Sequence, residues 1–286
     1  MLSVIVCSRE PRLQEQLKEN IQATIGIPFE YLCHDNRHDN LPIAKVYNSM
    51  ALKAQYDYLL FIHEDILFHS TNWGGIITQK LSEPDCGVIG FAGAPIMNWC
   101  YGSWSTNIRT LDSKNYIQNG KVEHNQHSKD AYDPVVTVDG MTMFVRKDVW
   151  QAHPFDEKML TGFHCYDVDF CLGIGASHKN YVCNTGITLE HFSKGSFSTE
   201  WVTTTIRMFE SKWCNVLPRL AMPLSTSVQR KSHEGQMFYF TKQCLRSNID
   251  NSVKKKILRQ YLDLPLFVSG SVSHLFKVLR LSLRLL

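Results

Sequence analysis

Two carboxylates and an imidazole stand together at the end of an apolar run. The run Tyr58–Ile62 is typical of a buried strand, and His63, Glu64 and Asp65 follow it directly. An ionised carboxylate in a core is costly unless water, a cation or a ligand lies beside it. Mg²⁺ and Mn²⁺ take oxygen ligands, commonly one or two carboxylates together with phosphates and water. The cluster therefore indicates a divalent-cation site, and the alternative is that its carboxylates cap a helix-like segment that follows.

A second acidic pair lies at the predicted start of a helix. Asp167 and Asp169 are two positions apart in the stretch CYDVDFCL. The helix dipole favours carboxylates in a first turn, so a purely structural role is one interpretation. The other is general-base catalysis, because a carboxylate in a part-buried site can deprotonate an attacking hydroxyl. The residue types leave open which of the two would be the base.

A third candidate is His191, which follows a strand-like run in the stretch LEHFSKGS. Imidazole suits Mn²⁺ or Mg²⁺ less than oxygen does, but it can support a metal that a carboxylate already holds. A single histidine in this context is usually structural. The order of the three clusters is therefore more informative than any one of them: an acidic strand end, an acid pair, then a histidine between strand and loop.

Strands that alternate with helices must position these side chains. The strand-like runs LSVIVCS, FEYLCHD, DYLLFI and CGVIGFAG alternate with amphipathic patterns over residues 11–24, 41–55 and 73–81. This alternation predicts βαβ units and a mainly parallel sheet, and such sheets bind ligands at the carboxyl ends of their strands. Strand patterns return near residue 135, and a further helix is predicted over about residues 198–213.

Residues 94–134 interrupt this pattern with polar, aromatic and Gly/Asn-rich sequence. A segment of this length inside a domain is usually a lid or binding loop, or is partly disordered. Its aromatic side chains are Trp99, Tyr101, Trp104 and Tyr116. They could stack on the faces of acceptor sugars or pack the loop against the core, and the sequence favours neither role.

Five short motifs in this order resemble the nucleotide-sugar glycosyltransferases of the GT-A fold. They are SVIVCS, IAKVYNSMALKAQYDYLLFIHED, VDGMTMFVRKDVW, YDVDF and EHFSKGS. The likeness is to the family 2-like bacterial branch in which the usual Asp-x-Asp motif is written His-x-Asp. The resemblance implies an α/β fold with a GT-A-like (Rossmann-like), mostly parallel sheet flanked by helices over residues 1–220. Residues 221–286 would form a C-terminal helical appendage.

The resemblance also implies roles for the three clusters. Asp65 and His191 match the residues that hold a Mn²⁺ or Mg²⁺ ion against the donor's diphosphate. Such a cation would neutralise the nucleoside diphosphate as it leaves. Asp167 matches the base that takes the proton of the acceptor hydroxyl, with Asp169 as a supporting carboxylate, and the reverse assignment stays open.

Further positions match the donor and acceptor sides of the family's site. On the donor side they are Ser8, Arg9, Asp35, Asn36, Lys45, Asn48, His63 and Glu64. On the acceptor side Asp139 and Gly140 match the family's turn, and Trp99 and Trp104 are the candidates for sugar stacking. Three features depart from the family pattern. His63 stands where a first aspartate is commoner, and Tyr166 where a glutamate often precedes the base. The first strand continues as CSREP and lacks the usual Pro-x-Tyr-Asn.

Composition narrows the class of protein. The chain has 286 residues, 20% of them charged, and a net charge of only +3, so a nucleic-acid-binding surface is not indicated. Nine cysteines without metal-type spacing, and an N-terminus without a signal-peptide pattern, favour a cytoplasmic, reducing location. No apolar segment is long enough to span a bilayer. The basic amphipathic segment 274–286 either packs on the catalytic domain or lies on an anionic membrane, which would be the inner face of the cell membrane.

The resemblance, together with these observations, implies a metal-dependent, inverting glycosyltransferase of the hexosyltransferase type, active in polysaccharide biosynthesis. The donor would be a nucleotide-diphosphate sugar and the acceptor a glycan or a lipid-linked saccharide. One alternative is a nucleotidyltransferase, but CSREPRLQEQ has no glycine where that class carries a Gly-rich phosphate loop. The other is a non-catalytic nucleotide-sugar or glycan-binding protein, which would have no need of a base.

Overall fold

A seven-stranded sheet lies at the centre of the computed structural model, which describes residues 1–193, 195, 197–264 and 272–283. The strands in chain order are β1 (Leu2–Ser8), β2 (Phe29–Asp35), β3 (Tyr58–Ile62), β4 (Ile66–Phe68), β5 (Cys86–Gly90), β6 (Ala92–Ala94), β7 (Ile96–Met97), β8 (Ser113–Gln118), β9 (Lys121–Asn125), β10 (Tyr132–Val135), β11 (Thr137–Val138), β12 (Thr142–Arg146), β13 (Lys179–Cys183), β14 (Leu189–His191) and β15 (Arg219–Leu220). The central sheet has the order β10-β13-β5-β12-β3-β1-β2.

Helices cover both faces of this sheet. They are α1 (Pro11–Thr24), α2 (Ile43–Lys53), α3 (Trp73–Leu81), α4 (Lys147–Ala152), α5 (Tyr166–Ile174), α6 (Thr199–Met208), α7 (Thr226–Arg246), α8 (Asn251–Leu262) and α9 (Val272–Ser282). A π-helical turn, Phe209–Trp213, continues α6, so the helix predicted over residues 198–213 is confirmed with a local change of hydrogen bonding. The prediction of an α/β fold, with a large sheet flanked by helices, is confirmed.

The central sheet is mixed. β1 is parallel to both of its neighbours, β2 and β3, and β13 is parallel to β5. β12 lies antiparallel between β3 and β5, and β10 is antiparallel to β13. Alternating strand and helix patterns predict the parallel half, where helices make the connections. β12 follows the interrupted segment, residues 94–134, and no local sequence pattern predicts its antiparallel direction.

Burial on both faces explains the continuous apolar sequence of β1. Ile5 packs into the core cluster that also contains side chains of α2 and α5. Val4 and Val6 point to the opposite face, into the cluster that contains side chains of α1 and α3. Because successive residues of a strand face opposite sides, a strand covered on both faces reads as an apolar run.

A second sheet carries His191 to the end of β3. Its order is β11-β6-β8-β14-β4, with β9 paired to β8. β14 is antiparallel to β4, with His191 opposite Ile66, and the Phe192 amide donates to the Asp65 carbonyl oxygen over 3.1 Å. The segment after Asp65 is therefore a strand, and the alternative that the carboxylates cap a following helix is wrong.

Residues 94–134, predicted as a lid, loop or partly disordered segment, contain β7 to β10. β8 and β9 pair as an antiparallel hairpin in the second sheet. The stretch KVEHN of β9 is mostly exposed or half-buried and lacks the alternation of apolar and polar residues that identifies a strand. Pairing with β8 therefore decides the conformation of β9.

The C-terminal helices share the core of the sheet domain. Met237 and Phe240 of α7 belong to the same buried cluster as Ile5 of β1. The Asn98 side-chain amide donates to Ser232 Oγ and to Gln236 Oε1, each over 2.8 Å, and so fixes α7 to the segment after β7. All nine cysteines are unpaired. Within the described parts of the chain, none of the helices combines the length and apolarity needed to cross a membrane.

Candidate active site

A cleft of about 440 Å³ opens where β1 and β3 end. Arg9 lines it after β1, and residues 63–65 line it after β3. The turn before β12 adds Asp139 and Gly140, and the start of α5 adds Asp167. Strand ends and a helix start thus bring together candidates that are more than a hundred residues apart in sequence.

Three side chains of the cleft region could hold one metal ion. His63, Asp65 and His191 each offer a ligand atom, and these atoms lie within 4.8 Å of one another. His191 Nε2 lies 3.5 Å from Asp65 Oδ1. The carboxylate is a ligand that Mn²⁺ prefers, and the two imidazoles can support an ion that the carboxylate already holds. The prediction paired Asp65 with His191 and placed His63 on the donor side, whereas the structure brings all three together.

The protonation states of Asp65 and His63 suit metal binding, whereas His191 must first lose a proton. Burial would lower the pKa of His191, but the hydrogen bond with Asp65 and the charge of that carboxylate outweigh burial and raise it. Burial alone would raise the pKa of Asp65, but hydrogen bonds from His191 and Ser193 outweigh it and hold that pKa well below its usual range. Burial, together with the nearby His191, lowers the pKa of His63. Asp65 is therefore ionised and His63 neutral at physiological pH, as metal ligands must be.

The hydroxyl of Tyr166 contacts the imidazole ring of His63. His63 Nε2 lies 2.6 Å from Tyr166 Oη. The same hydroxyl donates to the carbonyl oxygen of Gly140 over 3.2 Å. His63 and Tyr166, which are 103 residues apart in sequence, are thus in direct contact.

Glu64 caps the helix that precedes it in sequence. Its carboxylate accepts hydrogen bonds from Ser8 Oγ (2.6 Å) and from the backbone amides of Arg9 (3.1 Å) and Glu10 (3.0 Å). These amides stand immediately before α1, where the first N–H groups of a helix lack partners within the helix. Glu64 therefore fixes the loop that carries Arg9 into the cleft, and the Ser8 hydroxyl is committed to Glu64.

The two carboxylates of α5 lie in different surroundings. Residues two apart on a helix point about 200° apart. Asp167 lines the cleft, and burial, together with the nearby charge of Asp139, raises its pKa to about 7. Asp169 is only 3% exposed and accepts hydrogen bonds from Lys212 Nζ and Trp213 Nε1, each over 2.9 Å. Asp169 thus joins α5 to the π-helical turn and is not among the residues that line the cleft.

This contrast predicts a stability effect at Asp169. Asp169→Ala should lower the free energy of unfolding by about 2 kcal/mol, because the Trp213 indole and Lys212 lose their buried acceptor. Asp169→Asn should cost less, since its amide oxygen can still accept from Trp213. Urea unfolding followed by tryptophan fluorescence measures both. Wild-type stability in Asp169→Ala, together with lost activity, would instead identify Asp169 as the base.

Four aromatic side chains line the cleft: Trp104, Phe163, Phe197 and Trp201. The guanidinium of Arg9 lies 5.6 Å from the centre of the Phe163 ring. Of the aromatic residues in the interrupted segment, only Trp104 was predicted on the acceptor side and also lines the cleft. Phe163, Phe197 and Trp201 lie outside that segment, and no sequence motif marks them.

The other predicted sugar-stacking residue, Trp99, lies elsewhere. Its indole N–H donates to the Cys214 carbonyl oxygen over 2.6 Å, and its ring contacts Phe209 at 6.2 Å. Tyr101 contacts the same Phe209 ring at 4.7 Å. Tyr116 packs against the core cluster on the α1 and α3 side of the sheet. The packing alternative therefore describes Tyr101 and Tyr116, whereas Trp99 is 54% exposed and lies outside the cleft lining.

Five residues predicted on the donor side do not line the cleft, and one of them is Ser8, whose hydroxyl donates to Glu64. Asn36 is buried and exchanges hydrogen bonds with the backbone of Leu41. Asn48 is buried and joins α2 to the Phe155 backbone and the Trp150 indole. Asp35 forms an exposed ion pair of 2.6 Å with Arg37, and Lys45 is exposed on α2. The two asparagines thus use their polar groups inside the protein.

Several solved structures are similar to this chain at low sequence identity. GalNAc-T7 with UDP, GalNAc and Mn²⁺ has a TM-score of 0.47 and 12% identity, over 92% of this chain and 54% of that one. The mannosyltransferase PcManGT from Pyrobaculum calidifontis, in complex with GDP-Man and Mn²⁺, has a TM-score of 0.46 and 9% identity, over 99% and 73%. S. aureus TarS 1-349 in complex with UDP-GlcNAc has a TM-score of 0.45 and 12% identity, over 99% and 80%. The chain thus spans about half the length of GalNAc-T7.

Comparison at the level of sequence identifies the family. No curated protein matches the chain significantly. The model of the glycosyltransferase-like family, in contrast, matches residues 3–216. This match extends from β1 to the residues just before β15 and includes every side chain of the proposed metal cluster and both carboxylates of α5. The chain belongs to the glycosyltransferase-like family.

Proposed function

We propose that this protein transfers a sugar from a nucleotide-diphosphate sugar to an acceptor hydroxyl in a GT-A-type active site. One observation carries the proposal: the cleft brings the cluster of His63, Asp65 and His191 near a separate, part-buried carboxylate, Asp167. Displacement of a nucleoside diphosphate requires stabilisation of the leaving charge and removal of a proton from the nucleophile. The cluster and the carboxylate can supply these two functions separately.

The donor's diphosphate would lie between the metal cluster and the start of α1. His63, Asp65 and His191 would hold Mn²⁺ or Mg²⁺, and the bound ion would neutralise charge that develops on the leaving diphosphate. Arg9 enters the same cleft from the loop that Glu64 fixes. Its guanidinium could form charge-assisted hydrogen bonds to phosphate oxygens.

Asp167 would act as the base of an inverting transfer. As the acceptor oxygen bonds to the anomeric carbon, its proton moves to the Asp167 carboxylate, and the bond to the diphosphate oxygen breaks on the opposite side of the carbon. A base works best with a pKa near the working pH, and burial places that of Asp167 at about 7. A single displacement of this kind inverts the configuration of the sugar.

The acceptor side of the cleft suits a carbohydrate. Trp104, Phe163, Phe197 and Trp201 present aromatic surface to the cleft, and such surface packs against the apolar faces of sugar rings while polar groups orient their hydroxyls. We therefore propose a glycan or a lipid-linked saccharide as acceptor, a hexose as the transferred sugar, and a role in polysaccharide biosynthesis.

A thermal-shift screen of nucleoside diphosphates and nucleotide sugars, with and without Mn²⁺, tests the proposal. A nucleotide at 100 times its dissociation constant should add about 2.7 kcal/mol to stability. We expect one nucleotide family to stabilise the protein only when Mn²⁺ is present. The nucleotide sugar of that family should then yield free nucleoside diphosphate on incubation with saccharide acceptors.

Other outcomes distinguish the alternatives. Metal-dependent binding without turnover over a broad acceptor panel would support a non-catalytic binding protein. Release of pyrophosphate from a nucleoside triphosphate and a sugar phosphate would support a nucleotidyltransferase. If no nucleotide shifts the melting temperature at any Mn²⁺ concentration, the transferase proposal is wrong.

Helix α9 carries a stripe of exposed apolar side chains. Val272, Phe276 and Leu279 lie on α9 and Leu283 directly after it, and they are 64%, 67%, 40% and 67% exposed. Their spacing of four, three and four residues places them on one side of a helix. The opposite side packs inward through Val278, which is fully buried. Packing on the catalytic domain and contact with a membrane, the two alternatives for segment 274–286, thus both find support within residues 274–283. Residues 284–286 lie outside the described part.

Cations border this stripe. Lys277 and Arg280 are exposed on α9 beside it. Lys242 of α7 lies close enough to Arg246 and Lys277 that, after burial, their charges lower its pKa. An apolar stripe bordered by positive charge fits the surface of an anionic bilayer. We propose that α9 holds the enzyme on such a surface, at the inner face of the cell membrane, where a lipid-linked acceptor would be presented.

Vesicle sedimentation tests this membrane contact. Wild type should sediment with vesicles of phosphatidylcholine and phosphatidylglycerol, and less with phosphatidylcholine alone. Phe276→Ser combined with Leu283→Ser should weaken binding at least about tenfold, because two large apolar side chains no longer enter the bilayer. Val122→Ser, which changes a 66% exposed valine of β9, is the matched control. A wild-type protein that dimerises through α9 and ignores vesicles would overturn the proposal.

A further inference from the structure

We propose that Tyr166 fixes the tautomer of His63, so that Nδ1 is the nitrogen free to bind the metal. The inference deepens the metal-dependent function proposed above and rests on it. The Tyr166 hydroxyl has two neighbours, His63 Nε2 at 2.6 Å and the Gly140 carbonyl oxygen at 3.2 Å. A carbonyl oxygen can only accept, and a hydroxyl has a single proton to donate. With that proton on Gly140, the hydrogen bond to His63 requires His63 Nε2 to carry a proton and donate it.

This assignment determines the chemistry of the other ring nitrogen. A neutral imidazole that is protonated on Nε2 keeps its lone pair on Nδ1. A ligand histidine generally donates its other N–H to an oxygen acceptor, which orients the ring and makes it a better ligand. Tyr166 Oη, 2.6 Å from His63 Nε2, is that acceptor here.

The surroundings hold the Tyr166 hydroxyl in place. Tyr166 is 5% exposed, and its ring packs edge-on against Tyr47 at 5.8 Å and at a tilt against Phe155 at 6.3 Å. Gly140 lies directly against the hydroxyl, and a Cβ at this position would clash with Tyr166 Oη. Any other residue at position 140 would therefore push the phenol away from His63. The structure assigns Gly140 a second role here, besides its place on the acceptor side.

The pairing also bears on which ion the site prefers. With His63 as a ligand beside His191, two of three protein ligands are nitrogen. Imidazole favours Mn²⁺ over Mg²⁺, which prefers an all-oxygen shell. His63 and Tyr166 would thus act together to select Mn²⁺: His63 binds the ion, and Tyr166 positions His63.

Nitrogen-15 NMR of the metal-free protein tests the tautomer without any activity measurement. Long-range proton–nitrogen correlations should show His63 protonated at Nε2 in wild type and a mixture of tautomers in Tyr166→Phe. Isothermal titration should show Mn²⁺ binding weakened roughly 10- to 100-fold in Tyr166→Phe. Gly140→Ala should weaken it in the same direction by displacing the hydroxyl.

Tyr47→Phe is the matched control, because it removes a buried tyrosine hydroxyl with no hydrogen-bond partner among the described residues. It should bind Mn²⁺ as wild type does. Two results would overturn the inference: protonation of His63 on Nδ1 in wild type, or unchanged Mn²⁺ affinity in Tyr166→Phe. Loss of Mn²⁺ binding in Asp65→Asn would show in either case that the metal site itself exists. Absence of Mn²⁺ binding in wild type would instead refute the metal site and the proposed function.

Discussion

Asp167→Asn should lower kcat by about 10³-fold while leaving the binding of Mn²⁺ and nucleotide intact. General-base catalysis contributes roughly 10²- to 10⁴-fold, and asparagine keeps the shape of aspartate without a proton-accepting carboxylate. Asp167 stands apart from the metal cluster in sequence and lies at the start of a different element, α5. Steady-state kinetics with a nucleotide-sugar donor, together with titration of Mn²⁺ and nucleoside diphosphate, separates the two effects.

The pH dependence of the rate tests the assignment of Asp167 as the base most directly. A base is active when deprotonated, and the pKa of Asp167 is raised to about 7 by burial and by Asp139. The rate at saturating donor should therefore rise about tenfold per pH unit below neutrality and level off above about pH 7. This limb should be absent from the residual activity of Asp167→Asn. A wild-type profile that is flat between about pH 5 and 8 would contradict the assignment of Asp167 as base.

The same raised pKa has a consequence for stability. A carboxyl whose pKa is higher in the folded than in the unfolded state favours folding when protonated, and this advantage is lost as pH rises toward the folded value of about 7. Above that pH the ionised group costs up to about 4 kcal/mol, since each pKa unit corresponds to about 1.4 kcal/mol. Asp167→Asn should therefore be more stable than wild type at about pH 8, with a smaller advantage at about pH 5. A loss of stability at both pH values would indicate a structural role.

Local patterns were sufficient to predict the first half of the fold. Helix α1 begins at Pro11 and ends at Thr24, as its amphipathic pattern and the helix-starting proline indicate. β3 ends at Ile62, so the position of the polar cluster at a strand end is confirmed. In these elements, the apolar periodicity of the segment itself predicts which residues are buried. No information about the segments that pack against it is needed.

Long-range pairing explains what the sequence did not reveal. Glu64 lines the cleft as predicted for the donor side, but its hydrogen bonds with Ser8 and Glu10, more than fifty residues away in sequence, were not predicted. The resemblance implies that the helix carrying Asn48 faces the donor, but the Asn48 side chain lies on the inward face of that helix. The contact of His63 with Tyr166 spans 103 residues. Such contacts depend on how strand ends, helices and loops pack together, for which no local pattern exists.

Asp65→Asn should abolish the Mn²⁺-dependent stabilisation by nucleotide and lower kcat/KM by at least about 10³-fold. A neutral amide replaces the only anionic member of the cluster, so two imidazoles would have to hold a dication alone. Without the ion, charge on the leaving diphosphate would lose an electrostatic stabilisation worth several kcal/mol. Thermal shift with and without Mn²⁺ and steady-state kinetics measure the two losses.

The change in melting temperature on adding Mn²⁺, and not the melting temperature itself, decides this prediction. Asp65 carries a lowered pKa through its hydrogen bonds with His191 and Ser193, so its ionised form stabilises the metal-free fold above the unfolded pKa. Asp65→Asn should accordingly lose some stability even without metal. Asp85→Asn breaks an exposed ion pair with Lys179 just before β5, outside the cleft lining, and controls for the loss of one carboxylate. If Asp65→Asn retained the Mn²⁺-dependent shift, the ion would have to bind elsewhere, and the cluster at the end of β3 would be a buried network of hydrogen bonds.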